Sequence, residues 1–203
     1  MGLVEIYGAV LPDKKVYKSP FTNKDCVYYH YLVQEYKNQG KHSSWVTVNA
    51  GSQSLPFYLQ DNTGKVLIDP AFADINVPLD YEGTSGIGKE PSITIKNFLG
   101  SKGLRHEGFF SINKRMRYRE YFIAPGDKLY ILGTAGKNPN IKNILHSTEG
   151  IMIQKGTTLY QIHDKKESEV LGSLAWKAYG GIIGGALLSL LCLTIILKYF
   201  GLL

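Results

Sequence analysis

Two patterns of hydrophobic and polar positions divide the chain. Through the first four-fifths, short runs rich in β-branched and aromatic residues are separated by turn-forming residues, which is the signature of strands. Leu3 to Val10, Cys26 to Tyr36 and Trp45 to Val48 are such runs, and Leu11-Pro12-Asp13, Ser19-Pro20, Asn38-Gln39-Gly40 and Ala50-Gly51-Ser52 lie between them. Pro56 to Pro70 reads as a hairpin turning at Gly64, where a positive φ is expected. Ala71 to Ser92 is rich in Pro, Gly and acids and reads as one long loop, with a short helix after it at Ile93 to Gly100. Strands return at Arg115 to Ile123 and Lys128 to Gly133 around the turn Ala124-Pro125-Gly126-Asp127, and Ile151 to Gln154 with Thr158 to Ile162 reads as a closing hairpin. The fold class expected is mainly β, a single barrel or sandwich over residues 1–164.

The second pattern is the uninterrupted run Tyr179 to Leu197, 19 residues without a charge. As a helix it would reach about 28 Å, close to the ~30 Å hydrocarbon core of a bilayer. Its ten Leu and Ile residues would add roughly -3 to -6 kcal/mol of insertion free energy. A C-terminal transmembrane α-helix over 179–197 is therefore expected, ahead of a short tail at 198–203. Asp164 with Glu167 makes a capping box, and Val170, Leu171, Leu174 and Ala178 make an apolar stripe, so an amphipathic juxtamembrane helix is expected over 165–178. Lys165, Lys166 and Lys177 precede the run and Lys198 follows it, which predicts a single-pass protein with its domain on the cytoplasmic side. Gly180 with Gly184 and Gly181 with Gly185 have the small-residue spacing of paired spans. They admit either a homo-oligomer paired through Gly181 and Gly185 or the ordinary glycine content of a span.

Charge adds one region to this picture. The net charge is +6, and Lys89 to Lys128 holds nine Lys or Arg against four acids. Beside a membrane the nearest anions are lipid head groups, so lipid or an acidic protein is expected as partner ahead of nucleic acid. Within this region Arg115, Arg117 and Arg119 alternate along a strand and should project from one face, where guanidinium groups can hold carboxylates or phosphates. The alternative is a solvated face with surface ion pairs.

Catalytic signatures are not legible. Gly83-Thr84-Ser85-Gly86-Ile87-Gly88-Lys89-Glu90 approaches a phosphate-binding loop, but Glu90 stands where the magnesium-binding hydroxyl belongs and Pro91 follows. Cys26 and Cys192 do not form a disulfide framework, and His30, His42, His106, His146 and His163 are scattered, so neither a metal nor another cofactor is expected.

Several stretches in order carry a resemblance. They are Lys18-Ser19-Pro20-Phe21-Thr22 running into Asp25-Cys26-Val27-Tyr28-Tyr29, then Trp45, then Phe57-Tyr58-Leu59 with Asp61, Thr63, Gly64, Val66 and Ile68. Arg117-Tyr118-Arg119-Glu120-Tyr121 and Pro125-Gly126-Asp127-Lys128-Leu129-Tyr130-Ile131-Leu132-Gly133 complete the set. Together they resemble the GIDE, or beside-a-membrane, domain of mitochondrial RING-type ubiquitin ligases and of similar prokaryotic proteins. The resemblance implies a β-rich module that recognises a substrate or partner protein next to the bilayer, while a separate RING transfers ubiquitin. A RING holds two zinc ions, each with a full tetrahedral set of Cys and His, and two cysteines with five histidines do not fill both sets. The expectation is thus a recognition module of unidentified protein partner, without catalysis of its own. A component of a ligase-like system or a membrane scaffold stands as the alternative, and Cys26, Trp45, Asp61, Gly64 and Gly126 are expected to hold the fold.

Overall fold

The computed structural model describes residues 2–40, 42–105, 113–138, 150–157, 159–164, 180–186, 188–189, 192 and 198. Among the described residues up to Asp164, thirteen strands and one α-helix follow in chain order. The first five are β1 (Leu3–Pro12), β2 (Tyr17–Lys18), β3 (Asp25–Cys26), β4 (Tyr28–Gln39) and β5 (His42–Ser54). Next come β6 (Phe57–Gln60), β7 (Lys65–Ile68), β8 (Asp74–Asn76), β9 (Tyr81–Ser85) and α1 (Ile93–Ser101). The last are β10 (Met116–Ile123), β11 (Lys128–Lys137), β12 (Ile151–Gln154) and β13 (Gln161–His163).

A ring of pairings closes one barrel. β1 pairs with β6, β6 with β7, β7 with β12, β12 with β11, and β11 returns to β1. All contacts in the ring are antiparallel except the parallel one between β7 and β12. The order is that of a five-stranded Greek-key barrel of the OB type. Its interior is filled by Val10, Leu59, Ile68, Leu129, Ile131 and Ile153 from the ring strands, with Ile162 of β13 buried in the same cluster. Closure pairs the ring strands with one another, which is why short strands suffice here, and β13 and then β8 continue the sheet beyond β11.

A separate four-stranded sheet, ordered β5-β4-β10-β9, is inserted between barrel strands. Along β10 burial alternates, with Met116, Tyr118 and Glu120 inside and Arg117, Arg119 and Tyr121 on the other face. α1 covers the inner face with Ile95 and Leu99. Ser92 caps its start by accepting from the Ile95 amide at 3.3 Å. This second core is aromatic. Phe21 lies edge-on to Tyr31, Phe98 and Tyr118 at 5.3 to 5.9 Å between centroids.

Glu120 fastens the insertion to the segment before β4. Its side chain is fully buried, and its carboxylate accepts from the Phe21 amide at 2.6 Å, the Thr22 amide at 3.2 Å and the Thr22 hydroxyl at 2.6 Å. These charge-assisted bonds offset the cost of burying the charge.

Several expectations change. The barrel-or-sandwich alternative resolves as a barrel with an added sheet. The stretch Ala71 to Ser92 is not one loop, since β8 and β9 lie in it and pair with β13 and β10. β12 and β13 do not form a hairpin with each other, because both run along β11. Gly64 is not left-handed: the described glycines with positive φ are Gly40, Gly88, Gly103 and Gly126. The turn is held instead by Asp61, whose Oδ1 accepts from the Thr63 and Gly64 amides and from the Thr63 hydroxyl. Gly126 at φ 92° does serve its turn, where Asp127 accepts from the Ala124 amide.

The largest correction concerns the C-terminus. The chain divides into two compact units, Met1–Asp164 and Lys165–Leu203. Among the described residues no helix is long and apolar enough to cross a membrane. The transmembrane helix expected over 179–197, and the single-pass placement with a cytoplasmic domain that rested on it, are therefore not supported. One described helical stretch is 180–186. Four of its residues are glycine, each costing about 1 kcal/mol of helix propensity relative to alanine. Gly181 and Gly185 lie in it with open space where a Cβ would stand. The helix expected over 165–178, with its capping Glu167 and apolar stripe, lies outside the described residues, as do His106, His146 and the tail after Lys198.

Candidate functional site

The hairpin β4–β5 builds the site. Gly40 takes φ 71° at its turn, and the register that follows places Tyr36 opposite Trp45. Their rings meet edge to face at 5.2 Å between centroids. β10 lies on the other side of β4 and brings its arginines to the same face.

The structure separates the three arginines expected to act together. Arg119 donates from Nε to Glu82 Oε2 at 2.6 Å across β9, an internal ion pair. Arg117 donates from Nε to Gln34 Oε1 at 2.9 Å, and its guanidinium lies 4.6 Å from the Trp45 ring centroid. Arg115, just before β10, lies 4.3 Å from the Tyr36 centroid and 5.8 Å from that of Trp45. Two guanidinium groups thus converge on one indole, and no carboxylate pairs with either among the described residues. Stacking orients them at about 0.5–1 kcal/mol each on an exposed surface. It also leaves the outer N–H groups of each fork available to an anion.

A concave surface adjoins this platform. A cavity of about 400 Å³ is lined by Trp45, Thr84, Ser85, Gly86, Ile87, Lys89 and Arg115. It falls within the ~300–1,000 Å³ typical of ligand sites. A second cleft, at the barrel end between Ile6, Leu59, Lys65, Val66 and Ile151, holds about 180 Å³ and falls below that range. The loop that approached a phosphate-binding motif forms the rim of the larger cavity. It turns back on itself through the Gly86–Lys89 bridge, and Lys89 Nζ donates to the Thr84 hydroxyl at 2.7 Å. Ile87 at its tip is 88% exposed, which gives the rim one apolar contact.

Cys26, the cysteine of the folded domain, sits elsewhere and is buried. Burial above all, and then the Glu120 and Asp25 charges, push its thiol up to about 12. A nucleophilic cysteine needs the opposite shift. No group of three or more His, Cys, Asp or Glu that could hold a metal occurs among the described residues. Cys26 and His30 lie on different strands, and His30 instead faces Tyr121 at 5.7 Å.

Sequence reasoning named the arginines but missed Tyr36, Gln34 and Glu82, and it assigned Trp45 to holding the fold. Trp45 is only partly buried and forms the floor under two cations. The signal that points to this is the symmetric spacing of Tyr36 and Trp45 about the Asn38-Gln39-Gly40 turn, which makes them cross-strand neighbours.

A β-rich domain, a five-stranded barrel carrying an added four-stranded sheet, is the class that the fold defines. The family model for GIDE, described as E3 Ubiquitin ligase, matches residues 28–196. The chain belongs to the GIDE family. No characterised protein and no solved structure matches it.

Proposed function

We propose that the domain is the protein-recognition module of an E3 ubiquitin ligase-type system, and that it holds an acidic segment of its partner against the Trp45, Arg115 and Arg117 platform. The observation that carries this reading is the convergence of two guanidinium groups, unpaired with any described carboxylate, on one partly exposed indole. Carboxylates supply the charge that the forks lack, and the aliphatic part of a Glu side chain covers the indole. In this reading ubiquitin transfer belongs to a partner.

Fluorescence anisotropy of a labelled nonapeptide alternating glutamate with valine tests it on the full chain. The glutamate peptide should bind at least about tenfold more tightly than its glutamine counterpart, equivalent to about 1.4 kcal/mol. Arg117→Ala should erase that preference, and Arg119→Ala, whose guanidinium is already held by Glu82, should keep it. Equal binding of the two peptides, or equal losses in the two variants, would reject the reading.

A further inference from the structure

The two sheets treat their edges differently. The closed barrel ring has none, its sheet ending only in the three-residue β8, and β9, one edge of the four-stranded sheet, is five residues long with Glu82 at its second position and Lys89 close behind. β5, the other edge, runs for 13 residues, His42–Ser54, without a Lys, Arg, Asp, Glu or Pro. Natural edge strands are blunted by those residues, by shortness or by bulges. β5 has one device of this kind, the register shift opposite Val33/Gln34, which leaves Asn49 to Ser54 regular.

Hydrogen-bond alternation shows which groups this edge presents. The Leu55 amide donates to the Val27 carbonyl at one end of the β4–β5 ladder, and the Tyr36 amide donates across β4 to Arg115 at the other. An antiparallel ladder alternates bonded and unbonded pairs. The amides of Asn49, Gly51 and Gln53 therefore face β4, and those of Ala50, Ser52 and Ser54 lie along the open edge. Ala50 and Ser52 are exposed and small, so a neighbouring backbone can approach. Trp45 stands on the same strand with the Arg115 and Arg117 guanidinium groups drawn over it.

We infer that β5 accepts an extended acidic segment of a partner protein as a fifth strand, its backbone pairing with Ala50, Ser52 and Ser54 and its carboxylates meeting Arg115 and Arg117. This deepens, and rests on, the recognition role proposed above. Main-chain bonds supply sequence-tolerant affinity and the charged platform supplies selectivity. A second copy of the chain could also pair edge to edge, but two copies related by a twofold axis would bring arginine clusters of the same sign and neutralise neither. Charge complementarity favours the acidic partner.

Amide hydrogen exchange on the ¹⁵N-labelled full chain tests the pairing, with the glutamate–valine nonapeptide as probe. Exchange at Ala50, Ser52 and Ser54 should slow by about tenfold or more, while Asn49, Gly51 and Gln53, already in the ladder, should not change. A peptide of the same sequence with N-methylated valines keeps its charges but cannot pair, and should bind about tenfold more weakly. Ser52→Pro removes an outward amide and should weaken the unmodified peptide similarly, and the methylated peptide covers the case in which that variant does not fold. Binding that depends on Arg117 but leaves the three amides unchanged, with equal affinity for the methylated peptide, would overturn strand addition and leave the recognition reading standing. Loss of all binding would overturn both. Protection of the three amides without peptide, in a chain that sediments as a dimer, would assign the edge to a second copy and overturn the inference.

Discussion

The barrel and the four-stranded sheet are built from the same period-two pattern and do different work. The barrel closes on itself, fills its interior mainly with aliphatic side chains and leaves only the short β8 as an edge beyond the ring. The sheet stays open, packs an aromatic inner core under one helix and gathers charge on its outer face. Stability concentrates where backbone groups and side chains are satisfied internally, and recognition becomes available where they are not. The insertion of the sheet between barrel strands lets the open part keep unpaired groups because the closed part holds it in place.

The sharpest way to break this contrast is to damage the barrel. Ile131 is fully buried in its centre, and Ile131→Ala should cost about 2–5 kcal/mol by lost burial and a residual cavity. Urea denaturation should show the midpoint falling at nearly unchanged slope. A cost below about 1 kcal/mol would mean that the barrel is not the stabilising half.

Glu120 tests how the sheet is fastened. Glu120→Ala leaves the Phe21 and Thr22 amides without their acceptor. The loss should be about 2–4 kcal/mol, at ~1–3 kcal/mol for each buried group left unpaired. Glu120→Gln, which keeps one acceptor oxygen, should recover part of it in the same denaturation experiment.

A smaller effect should appear with pH. Burial first, and then the Asp127 and Glu120 charges, raise the Asp80 carboxyl against the opposing hydrogen bond from the Phe122 amide. A raised folded-state value means that the group's favourable contribution is complete below the unfolded carboxylate range and is lost as pH rises through the folded value. Asp80→Asn keeps an acceptor for Phe122 and should be more stable than the parent at neutral pH, with the gain vanishing in acid. Thermal melts of the two proteins at pH 3 and pH 7 check this. A gain confined to acid would reverse the assigned sign.

The barrel strands were largely legible because one-sided burial imposes alternation on Leu3 to Val10 and Lys128 to Gly133. Their partners were less so. The parallel contact of β7 with β12 joins segments over eighty residues apart, and nothing local in Lys65 to Ile68 specifies it. β8 and β9 were hidden among Pro, Gly and acids because each is short and takes its hydrogen bonds from a distant strand. At the candidate site, alternation placed Arg117 and Arg119 on one face but could not show that Glu82 occupies Arg119. That pairing depends on β9 lying beside β10. The uncharged C-terminal run misled in a different way. Hydropathy and length favour a span, but among the described residues no helix is long and apolar enough to cross a membrane.

A charge swap at the platform tests the central claim most directly. The double variant Arg115→Glu with Arg117→Glu should keep the parent fold, since both side chains lie on the outer face, and should be titrated with the glutamate–valine nonapeptide and with its lysine counterpart. The account predicts an inverted preference: the parent binds the glutamate peptide more tightly and the variant the lysine peptide. An unchanged preference in the folded variant would contradict it, because the Trp45, Arg115 and Arg117 platform would then not be where an acidic partner is read.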